Sequence, residues 1–489
     1  MAGAAAVTES ASGFARPYVV SWNLTYRCNL ACEHCYLDAG GAAKVTTENF
    51  ADRSELSTGE CFAVADQIAT FAPEALTILT GGEPLLRRDI LEIIRHAAGR
   101  GLWVVVGTNG VKITANVAAH LREAGARGLS LSLDALDPAR HDAFRAVRGA
   151  WENTVRGAGI LNEAGLPFIV QTTVGAHNRG ELEAIAAFAH DRLQARVWNL
   201  YFLVPTGRGQ FVSDIAPEEY DAVLATLARL QRDFAGKMIV NAKCAPHFIK
   251  TALAEAEAGR PAPYARAYSG GAGGCPAGTH YLGIRPNGDV TPCPYLPQFG
   301  GNLKVTTLGD VWSSSDLFRR VRERSTLGGR CGDCELQSQC GGCRARAYGV
   351  TGDLMAEDPL CTHQPGRFAG SPILAAPKAE YGLPIAPAAA ATFSSAATVT
   401  PADAATAAAC PVSVPSEATP LPPSATVAWD DDAKERMKRI PAFVRGMVTR
   451  AVEDSCRKQG IARVTLDQLE KIRARMPTPK FFGGGPRPQ

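Results

Sequence analysis

The chain of 489 residues is long enough, at about 150 residues per domain, for roughly three structural units with a large buried core. Hydrophobic residues make up 46% of it and charged residues 20%, as in ordinary globular proteins, and no run of about 18 apolar residues predicts a membrane-spanning helix. The net charge of only +3 argues against binding to nucleic acid or membranes through bulk charge.

The first residues and the cysteines of the chain indicate its compartment. The opening MAGAAAVTESASGFARP has neither a basic start nor an apolar core, so no secretion signal is predicted and a cytoplasmic location is expected. The 14 cysteines are clustered in a chain without that signal, which favours metal ligation over a disulfide framework.

Residues 18–215 alternate between β-rich runs and helical patterns. The predicted strands are Tyr18–Leu24, Leu76–Leu79, Leu102–Gly107, Gly128–Leu133, Pro167–Val174 and Arg196–Val204. The clearest predicted helices between them are Glu60–Phe71, Ile90–Ala98, Ala115–Ala124 and Leu182–Arg192. Alternating strands and helices indicate parallel strands with helical crossovers, so the predicted fold class is α/β, a partial (β/α)6 barrel similar to an incomplete TIM barrel. In such a fold the functional residues lie at the carboxyl ends of the strands.

Three cysteines follow the first predicted strand, in the segment RCNLACEHCY. Thiolates from Cys28, Cys32 and Cys35 suit three irons of a cubane cluster, which leaves the fourth iron open to a small molecule. The alternative is a structural zinc site that lacks its fourth ligand. The CxxxCxxC spacing resembles that of the radical S-adenosylmethionine (SAM) superfamily, whose partial (β/α) barrel agrees with the strand pattern.

Further motifs of that superfamily follow in the expected order. ThrGlyGlyGluPro at residues 80–84 follows the second strand, GlyThrAsnGly at 107–110 ends the third, and SerLeuAsp at 132–134 ends the fourth. The resemblance implies that the first of these motifs meets the amino group of the bound cofactor. Ser132 and Arg145 become candidates for binding the ribose or carboxylate of the cofactor. The alternative is that both are ordinary polar loop residues. The implied cofactor-binding residues are Gly81, Gly82, Glu83, Asn109, Ser132 and Arg145. His34, beside the cysteines, is interpreted as a packing residue.

The resemblance also implies the chemistry. S-adenosylmethionine would bind the open iron, and its one-electron cleavage would yield methionine and a 5′-deoxyadenosyl radical that removes an unactivated hydrogen from a substrate. A small electron donor such as ferredoxin or flavodoxin is the implied partner.

Residues 240–364 are rich in Gly, Pro and Cys and contain too few periodic apolar runs for an ordinary core, so an inorganic group is expected to hold them together. The cysteine order resembles the SPASM extension of radical enzymes, which implies one or two auxiliary 4Fe–4S clusters. One departure is the spacing of two residues, rather than the usual three, between Cys340 and Cys343. A zinc ribbon is the alternative for the central run.

The resemblance divides these cysteines into two ligand sets. One set is Cys331, Cys334, Cys340 and Cys361, and the other is Cys275, Cys293, Cys343 and, as candidate fourth ligand, Cys244. The alternative for Cys244 is a buried free thiol, which would leave an open iron in that cluster. The isolated Cys61, Cys410 and Cys456 are expected to be inert.

The rest of the chain predicts a tether and a small terminal module. Residues 365–426 are rich in Ala, Pro, Ser and Thr and are predicted to form a disordered linker. A helical module is predicted over 427–478, with apolar residues at helical spacing between Phe443 and Val452, a stop at Gly460, and a capping box of Thr465 and Gln468 before a last helix. That last helix would carry Leu466, Leu469 and Ile472. The module resembles the small C-terminal domain of a light-independent protochlorophyllide reductase subunit.

Two resemblances point to a tetrapyrrole substrate. The segment Trp198–Gly209 (WNLYFLVPTGRG) is similar to radical enzymes of haem and haem d1 biosynthesis, which act on propionate side chains, and the terminal module resembles another tetrapyrrole enzyme. Arg208 is either a ligand for a substrate carboxylate or a plain turn residue. The basic face of the module either recognises propionates or is a solvated surface.

The predicted function is hydrogen abstraction from a propionate of a siroheme-derived tetrapyrrole, followed by loss of carbon dioxide or of a larger fragment. Two alternatives remain. A maturase of ribosomal peptides is one, although the 27 residues before Cys28 are too few for the peptide-binding domain such enzymes often carry. A non-catalytic iron–sulfur electron carrier is the other, and it would have no need for the motif at residues 80–84.

Overall fold

The computed structural model describes residues 16–40, 53–212, 215–260, 274–371, 427–438, 449, 452–453, 455–457 and 459–475. The chain divides into two compact units, of which the first contains the described residues 16–371 and the second the described residues 427–475. Within these ranges no helix is both long enough and apolar enough to cross a membrane.

The first unit is built on a ten-stranded sheet with the order β10-β9-β8-β1-β2-β3-β4-β5-β6-β7. Its strands are β1 Val19–Asn23, β2 Leu76–Thr80, β3 Trp103–Gly107, β4 Leu129–Ser132, β5 Phe168–Val174, β6 Val197–Phe202, β7 Ile239–Lys243, β8 Tyr281–Ile284, β9 Asp289–Thr291 and β10 Gly301–Asn302. Strands β1 to β7 pair in parallel with their neighbours, so the six predicted strands and the partial barrel are confirmed.

Helices connect the parallel strands and continue after them. They are α1 Thr58–Phe71, α2 Ile90–Gly99, α3 Ala115–Glu123, α4 Pro138–Arg145, α5 Ala150–Glu163, α6 Leu182–Asp191, α7 Pro217–Asp233, α8 Phe248–Glu257, α9 Leu308–Ser314, α10 Asp316–Arg322, α11 Gly329–Gly332 and α12 Arg344–Thr351. Local sequence sets where they begin: Ser57 and Glu60 form a capping box at α1, and the Asp137 side chain caps α4, which has Pro138 in its first turn.

The sheet is wider than the sequence predicts. Strand β7 pairs in parallel with β6 at one edge, and β8 pairs in parallel with β1 on the other side of the sheet. Both strands lie in or overlap residues 240–364, so the barrel and the Cys-rich extension share one sheet rather than forming separate layers. Strand β7 escapes prediction because its sequence, IVNAK, carries two polar residues in five positions.

The two faces of the sheet differ in chemistry. Alternate residues of the strands pack with the surrounding helices into one core, including Val170 on β5, Trp198 and Leu200 on β6, and Val240 and Ala242 on β7. The residues between them point to the opposite side, called the inner face below. The side chain of Asn241 donates a hydrogen bond of 3.0 Å to that of Asn199 across β7 and β6, so polar groups meet on the inner face.

The predicted linker begins later than expected. Residues 365–371 are part of the first unit, because Phe368 is buried against Ile249 and Leu253 on α8. The Glu335 carboxylate accepts hydrogen bonds from the backbone N–H groups of Gly366 and Phe368, at 2.7 Å each. The boundary predicted at 365 is therefore wrong by at least seven residues, and residues 372–426 lie outside the described residues.

The second unit contains helices Asp431–Lys438 and Leu466–Arg475 and two-residue strands Ala428–Trp429 and Arg463–Val464, which pair in parallel. The predicted helical module thus also contains a short parallel pairing that the sequence did not indicate. The capping box is confirmed, because the backbone N–H of Thr465 donates to the Gln468 side chain and the N–H of Gln468 donates to Thr465 Oγ1.

The predicted stop of the preceding helix is consistent with the left-handed φ of 68° at Gly460. Val452 is helical and buried, whereas the predicted apolar series before it lies entirely outside the described residues. The buried core of this unit comprises Val427, Ala433, Met437, Val452, Cys456, Val464 and Leu469.

Candidate functional site

The first three cysteines lie on the loop that follows β1. Each sulfur receives an N–H donor: Leu30 N lies 3.4 Å from Cys28 Sγ, Ala39 N lies 3.4 Å from Cys35 Sγ, and Arg145 Nη1 lies 3.6 Å from Cys32 Sγ. Burial raises the pKa of Cys28 to about 12, so a cation is needed to stabilise its thiolate. Three sulfurs on one loop, with N–H donors in place, therefore fit an iron–sulfur cluster with one open iron.

Arg208 holds this loop in place. Its Nε donates to Cys32 O at 2.9 Å, and its Nη1 donates to Asp38 Oδ1 at 2.9 Å and to Ala39 O at 2.8 Å. The side chain is only 3% exposed. A role in binding a substrate carboxylate is therefore wrong, because the guanidinium is buried and already paired with Asp38; it is also more than a plain turn residue, since it clamps the cysteine loop.

The residue before this arginine makes the clamp possible. Gly207 has φ 57°, and a Cβ atom placed on it would lie 2.4 Å from both Cys35 O and Tyr36 O. Only glycine allows the turn after β6 to approach the cysteine loop this closely. The PTGRG segment thus supports the metal loop.

Glu83 organises the loop after β2. Its fully buried carboxylate accepts hydrogen bonds from Leu85 N at 3.0 Å, Thr108 Oγ1 at 2.8 Å and Asn109 N at 2.8 Å. Burial raises the pKa of Glu83 to about 7, although these three donors act in the opposite direction. The structure shows a residue that joins the ends of β2 and β3, and contact with the cofactor amino group stays a prediction.

The glycines beside it serve the same loop. Gly82 N donates to Thr25 O at 2.7 Å, and a Cβ on Gly82 would lie 2.2 Å from Arg27 O. The motif at residues 80–84 therefore packs directly on the backbone that leads into Cys28. Gly81 has φ 138°, and a Cβ atom placed on it would lie 2.7 Å from Thr25 O.

Two other candidate cofactor residues lie at the carboxyl ends of neighbouring strands. Asn109, just after β3, donates from Nδ2 to Asn29 Oδ1 at 2.9 Å, which places it against the cysteine loop. Ser132 is the last residue of β4 and is half-buried. Their cofactor contacts stay predictions.

Arg145 lies beside the cluster loop but is paired internally. Its Nε and Nη2 lie 2.6 Å and 2.5 Å from Asp134 Oδ2, and Asp134 is fully buried. Burial alone would raise the pKa of Asp134, but the Arg145 guanidinium holds it below its usual value. Arg145 thus donates a charged hydrogen bond to Cys32 Sγ. Its contact with the ribose or carboxylate of the cofactor stays a prediction.

His34 is a packing residue, as predicted. Its ring stacks on Phe144 with centroids 4.3 Å apart and planes 3° apart, and Phe144 stacks in turn on His177. Burial lowers the pKa of His34 to about 3, so the ring is neutral and contributes apolar contact.

The structure brings Cys244, Cys275, Cys293 and Cys343 together. Burial is the main cause that raises the pKa of Cys244, and the nearby thiols of Cys343 and Cys275 raise it further. The pKa of Cys293 is raised in the same way, by burial and by the other three thiols of this set. Thiols this close together can share one cluster, and the role of Cys244, which directly follows β7, as its fourth ligand stays a prediction. Four thiols with no disulfide among them fit an iron–sulfur group.

The other predicted set also converges. Cys331, Cys334, Cys340 and Cys361 line a single cavity. The unusual spacing of two residues between Cys340 and Cys343 has a structural explanation, because Gly341 and Gly342 have φ 68° and 59°. Two successive left-handed glycines reverse the chain, which lets the two cysteines face different sites.

The isolated cysteines behave differently. Cys61 and Cys456 are fully buried in separate hydrophobic cores, and Cys410 lies outside the described residues.

Sequence reasoning missed a group of polar residues on the inner face. The Tyr36 ring, which follows Cys35, lies 4.7 Å from the Tyr295 ring, and Tyr201 on β6 lies 6.4 Å from the same ring. Lys243 ends β7 as the register partner of Tyr201, and burial lowers its pKa to about 8. The signal in the sequence was the alternation of polar and apolar residues in β6 and β7.

Three family models match the chain. Residues 22–189 match the radical SAM superfamily, residues 275–343 match the SPASM iron–sulfur cluster-binding domain, and residues 429–473 match the proto-chlorophyllide reductase 57 kD subunit. The first match covers Cys28, Cys32 and Cys35, and the second covers the cysteines of both auxiliary sets except Cys244 and Cys361.

Individual relatives match over most of the chain. The chain is 36% identical over 353 residues to the AdoMet-dependent heme synthase of Methanosarcina barkeri, which spans 72% of this chain and 98% of that protein. It is 31% identical over 368 residues to the pre-heme d1 synthase of Dinoroseobacter shibae, 72% of this chain and 87% of that one.

A solved structure shares the fold. SuiB of Streptococcus suis bound to S-adenosylmethionine superposes with a TM-score of 0.56 and 18% identity, over 71% of this chain and 78% of SuiB.

Proposed function

The chain belongs to the radical SAM superfamily and carries a SPASM iron–sulfur extension, and we propose that it converts propionate side chains of an iron tetrapyrrole into vinyl groups during haem formation. The observation that carries this proposal is the 36% identity with a protein named AdoMet-dependent heme synthase over 98% of its length. Haem carries vinyl groups, which favours loss of carbon dioxide over loss of a larger fragment.

Different residues of the chain would hold the cluster, support its loop and contact the cofactor. Cys28, Cys32 and Cys35 would hold the first cluster, which with S-adenosylmethionine supplies a 5′-deoxyadenosyl radical for hydrogen abstraction. Arg208 and Gly207 fix the loop that carries these cysteines. The cofactor contacts assigned to this region are Gly81, Gly82, Glu83, Asn109, Ser132 and Arg145.

The reaction at each propionate removes a hydrogen atom, carbon dioxide and one electron, and leaves a carbon–carbon double bond. The electron needs an acceptor. The set of Cys244, Cys275, Cys293 and Cys343, next to the inner face, would hold a cluster able to supply one. The set of Cys331, Cys334, Cys340 and Cys361 would hold a second cluster, a path for electrons to or from a partner.

A ferredoxin or flavodoxin would supply the electron that cleaves the cofactor. We also place the protein in the cytoplasm, since thirteen described cysteines are free and low-potential clusters persist in a reducing compartment.

The test is product mass. The reconstituted full chain is incubated without oxygen with S-adenosylmethionine, dithionite and either Fe-coproporphyrin III or didecarboxysiroheme. We expect loss of one carbon dioxide and two hydrogen atoms per modified side chain. The Cys61→Ala variant, whose cysteine lies in the core, is the matched control and should keep this activity, whereas Cys28→Ala should lose it.

Accumulation of 5′-deoxyadenosine with no change in the mass of either tetrapyrrole would contradict the assigned substrate.

A further inference from the structure

Lys243 lies on the inner face of the sheet at the carboxyl end of β7. Its neighbours Val240 and Ala242 point into the helical core, so Asn241 and Lys243 point to the opposite side. The hydrogen bond between Asn241 and Asn199 confirms this orientation, because both side chains leave their strands on the same face.

The register places Lys243 beside a phenol. Lys243 is the parallel partner of Tyr201, one pair further along than Asn241 and Asn199. The Tyr201 hydroxyl accepts a hydrogen bond of 3.4 Å from Gln171 Nε2 on β5. Three adjacent strands thus present an amide, a phenol and an ammonium at one edge of the inner face.

The Lys243 ammonium forms no ion pair with a carboxylate among the described residues, and its one acidic neighbour there is the thiol of Cys244. This contrasts with the nearby basic groups Lys250, whose Nζ lies 2.6 Å from Asp221 Oδ1, and Arg346, which pairs with Asp358 at 3.0 Å. A half-buried ammonium without a counter-ion lowers the stability of the fold, because desolvation is not offset by pairing. Such a group is expected where a ligand supplies the missing negative charge.

The surroundings suit a flat ligand. The rings of Tyr36, Tyr295 and Tyr201 form a row from the residue after Cys35 to the strand next to Lys243. Aromatic faces stack on a macrocycle, while phenol hydroxyls bond to its polar edge. The chain continues from Lys243 directly into Cys244.

We propose that Lys243, with Tyr201 beside it, binds a carboxylate of the tetrapyrrole substrate. The inference rests on the proposed function and adds the residue that orients the macrocycle on the inner face. An ion pair stabilises a carboxylate relative to carbon dioxide, so Lys243 holds a propionate that is retained in the product. The reacting propionates are then those directed away from Lys243.

The test measures binding rather than turnover. Haem, which retains two propionates, and haem dimethyl ester, in which both are blocked, are titrated anaerobically against the reconstituted full chain, and free ligand is measured after ultrafiltration. Loss of a charged hydrogen-bond partner should weaken binding of haem to Lys243→Met by about 10- to 100-fold. The ester should bind wild type and variant equally.

Two further variants exclude a merely structural effect. Lys243→Arg keeps the charge and should restore most of the affinity for haem. Lys237→Met removes an exposed lysine just before the same strand and should leave binding unchanged. The thermal stability of Lys243→Met should equal or exceed that of wild type, since an unpaired charge is removed.

Equal losses for haem and its ester, unchanged haem affinity in Lys243→Met, or no haem binding by wild type would each overturn the inference. A change confined to the spectrum or potential of the auxiliary cluster would also overturn it, because Lys243 would then act only on Cys244. The proposed function is judged separately, by the product masses of the wild-type protein.

Discussion

The pairing of Arg145 with Asp134 shows how a buried ion pair can support the cysteine loop through a hydrogen bond to one of its thiols. The carboxylate is fully buried and accepts two N–H groups of the guanidinium, which extends its remaining arm to within 3.6 Å of Cys32 Sγ. A buried charge held in this way favours the thiolate form of that cysteine.

Replacing this carboxylate tests the pair. Asp134→Asn leaves a buried guanidinium without a counter-charge, so the free energy of unfolding should fall by about 3–5 kcal/mol. Chemical denaturation of the full chain measures it. Asp316→Asn removes the partner of Arg319 on the exposed face of α10 and should cost less than about 1 kcal/mol. Equal losses in the two variants would contradict the importance of burial.

At this scale the sequence predicted residue types better than partners. It grouped the cysteines into sets whose members also lie near one another in the structure, because ligand spacing is itself a geometric constraint. It could not assign Arg208, since its partner Asp38 lies 170 positions away in the chain. Nothing local distinguishes a clamp from a substrate ligand.

The turn after β6 and the loop after β1 together form the support of the cluster site. They pack backbone against backbone. Gly207 lets them meet, and Arg208 then fixes them with side-chain hydrogen bonds. The cluster site is therefore assembled from two elements that are far apart in sequence.

Gly207→Ala should displace the cysteine loop. A left-handed alanine costs about 1–2 kcal/mol by itself, and here its Cβ would also lie 2.4 Å from two backbone oxygens. We expect lower iron and sulfide content after reconstitution and loss of S-adenosylmethionine cleavage. Gly236→Ala is the matched control, since its φ is 77° and nothing lies within 4 Å of the added Cβ.

If Gly207→Ala and Gly236→Ala retain the same iron content, the close approach of the two elements is not what holds the loop.

The sequence analysis missed β7, because its polar residues line the inner face and interrupt the apolar pattern. Strand β7 offers only Ile239, Val240 and Ala242 as apolar residues, yet it completes the parallel series and carries Lys243 into Cys244. The linker boundary was predicted too early because Phe368 is buried against α8, which is distant in the sequence.

The whole molecule buries several neutral histidines, which makes its stability depend on pH. Burial lowers the pKa of His141, His247 and His280 to about 4, and that of His34 to about 3. In the unfolded chain these groups titrate near 6.5. The contribution of these histidines to the free energy of unfolding is therefore complete above about pH 6.5 and is lost as the pH falls towards 4. The reason is that the unfolded state binds protons in this range and the folded state does not.

The free energy of unfolding should fall by up to about 1.4 kcal/mol per pH unit for each such histidine. Denaturation at several pH values between 7 and 5 measures the slope, and His280→Gln should reduce it by about one proton. A slope that is the same in the wild-type protein and in His280→Gln would contradict the assignment.

The central claim is that Cys28, Cys32 and Cys35 hold a cluster with one iron open to S-adenosylmethionine. The most direct measurement is the electron paramagnetic resonance spectrum of the reduced, reconstituted chain before and after S-adenosylmethionine is added. The account predicts a changed cluster signal in the wild-type protein, and no change in a Cys28→Ala, Cys32→Ala, Cys35→Ala variant that keeps its auxiliary clusters. A wild-type spectrum that is identical with and without S-adenosylmethionine would contradict it.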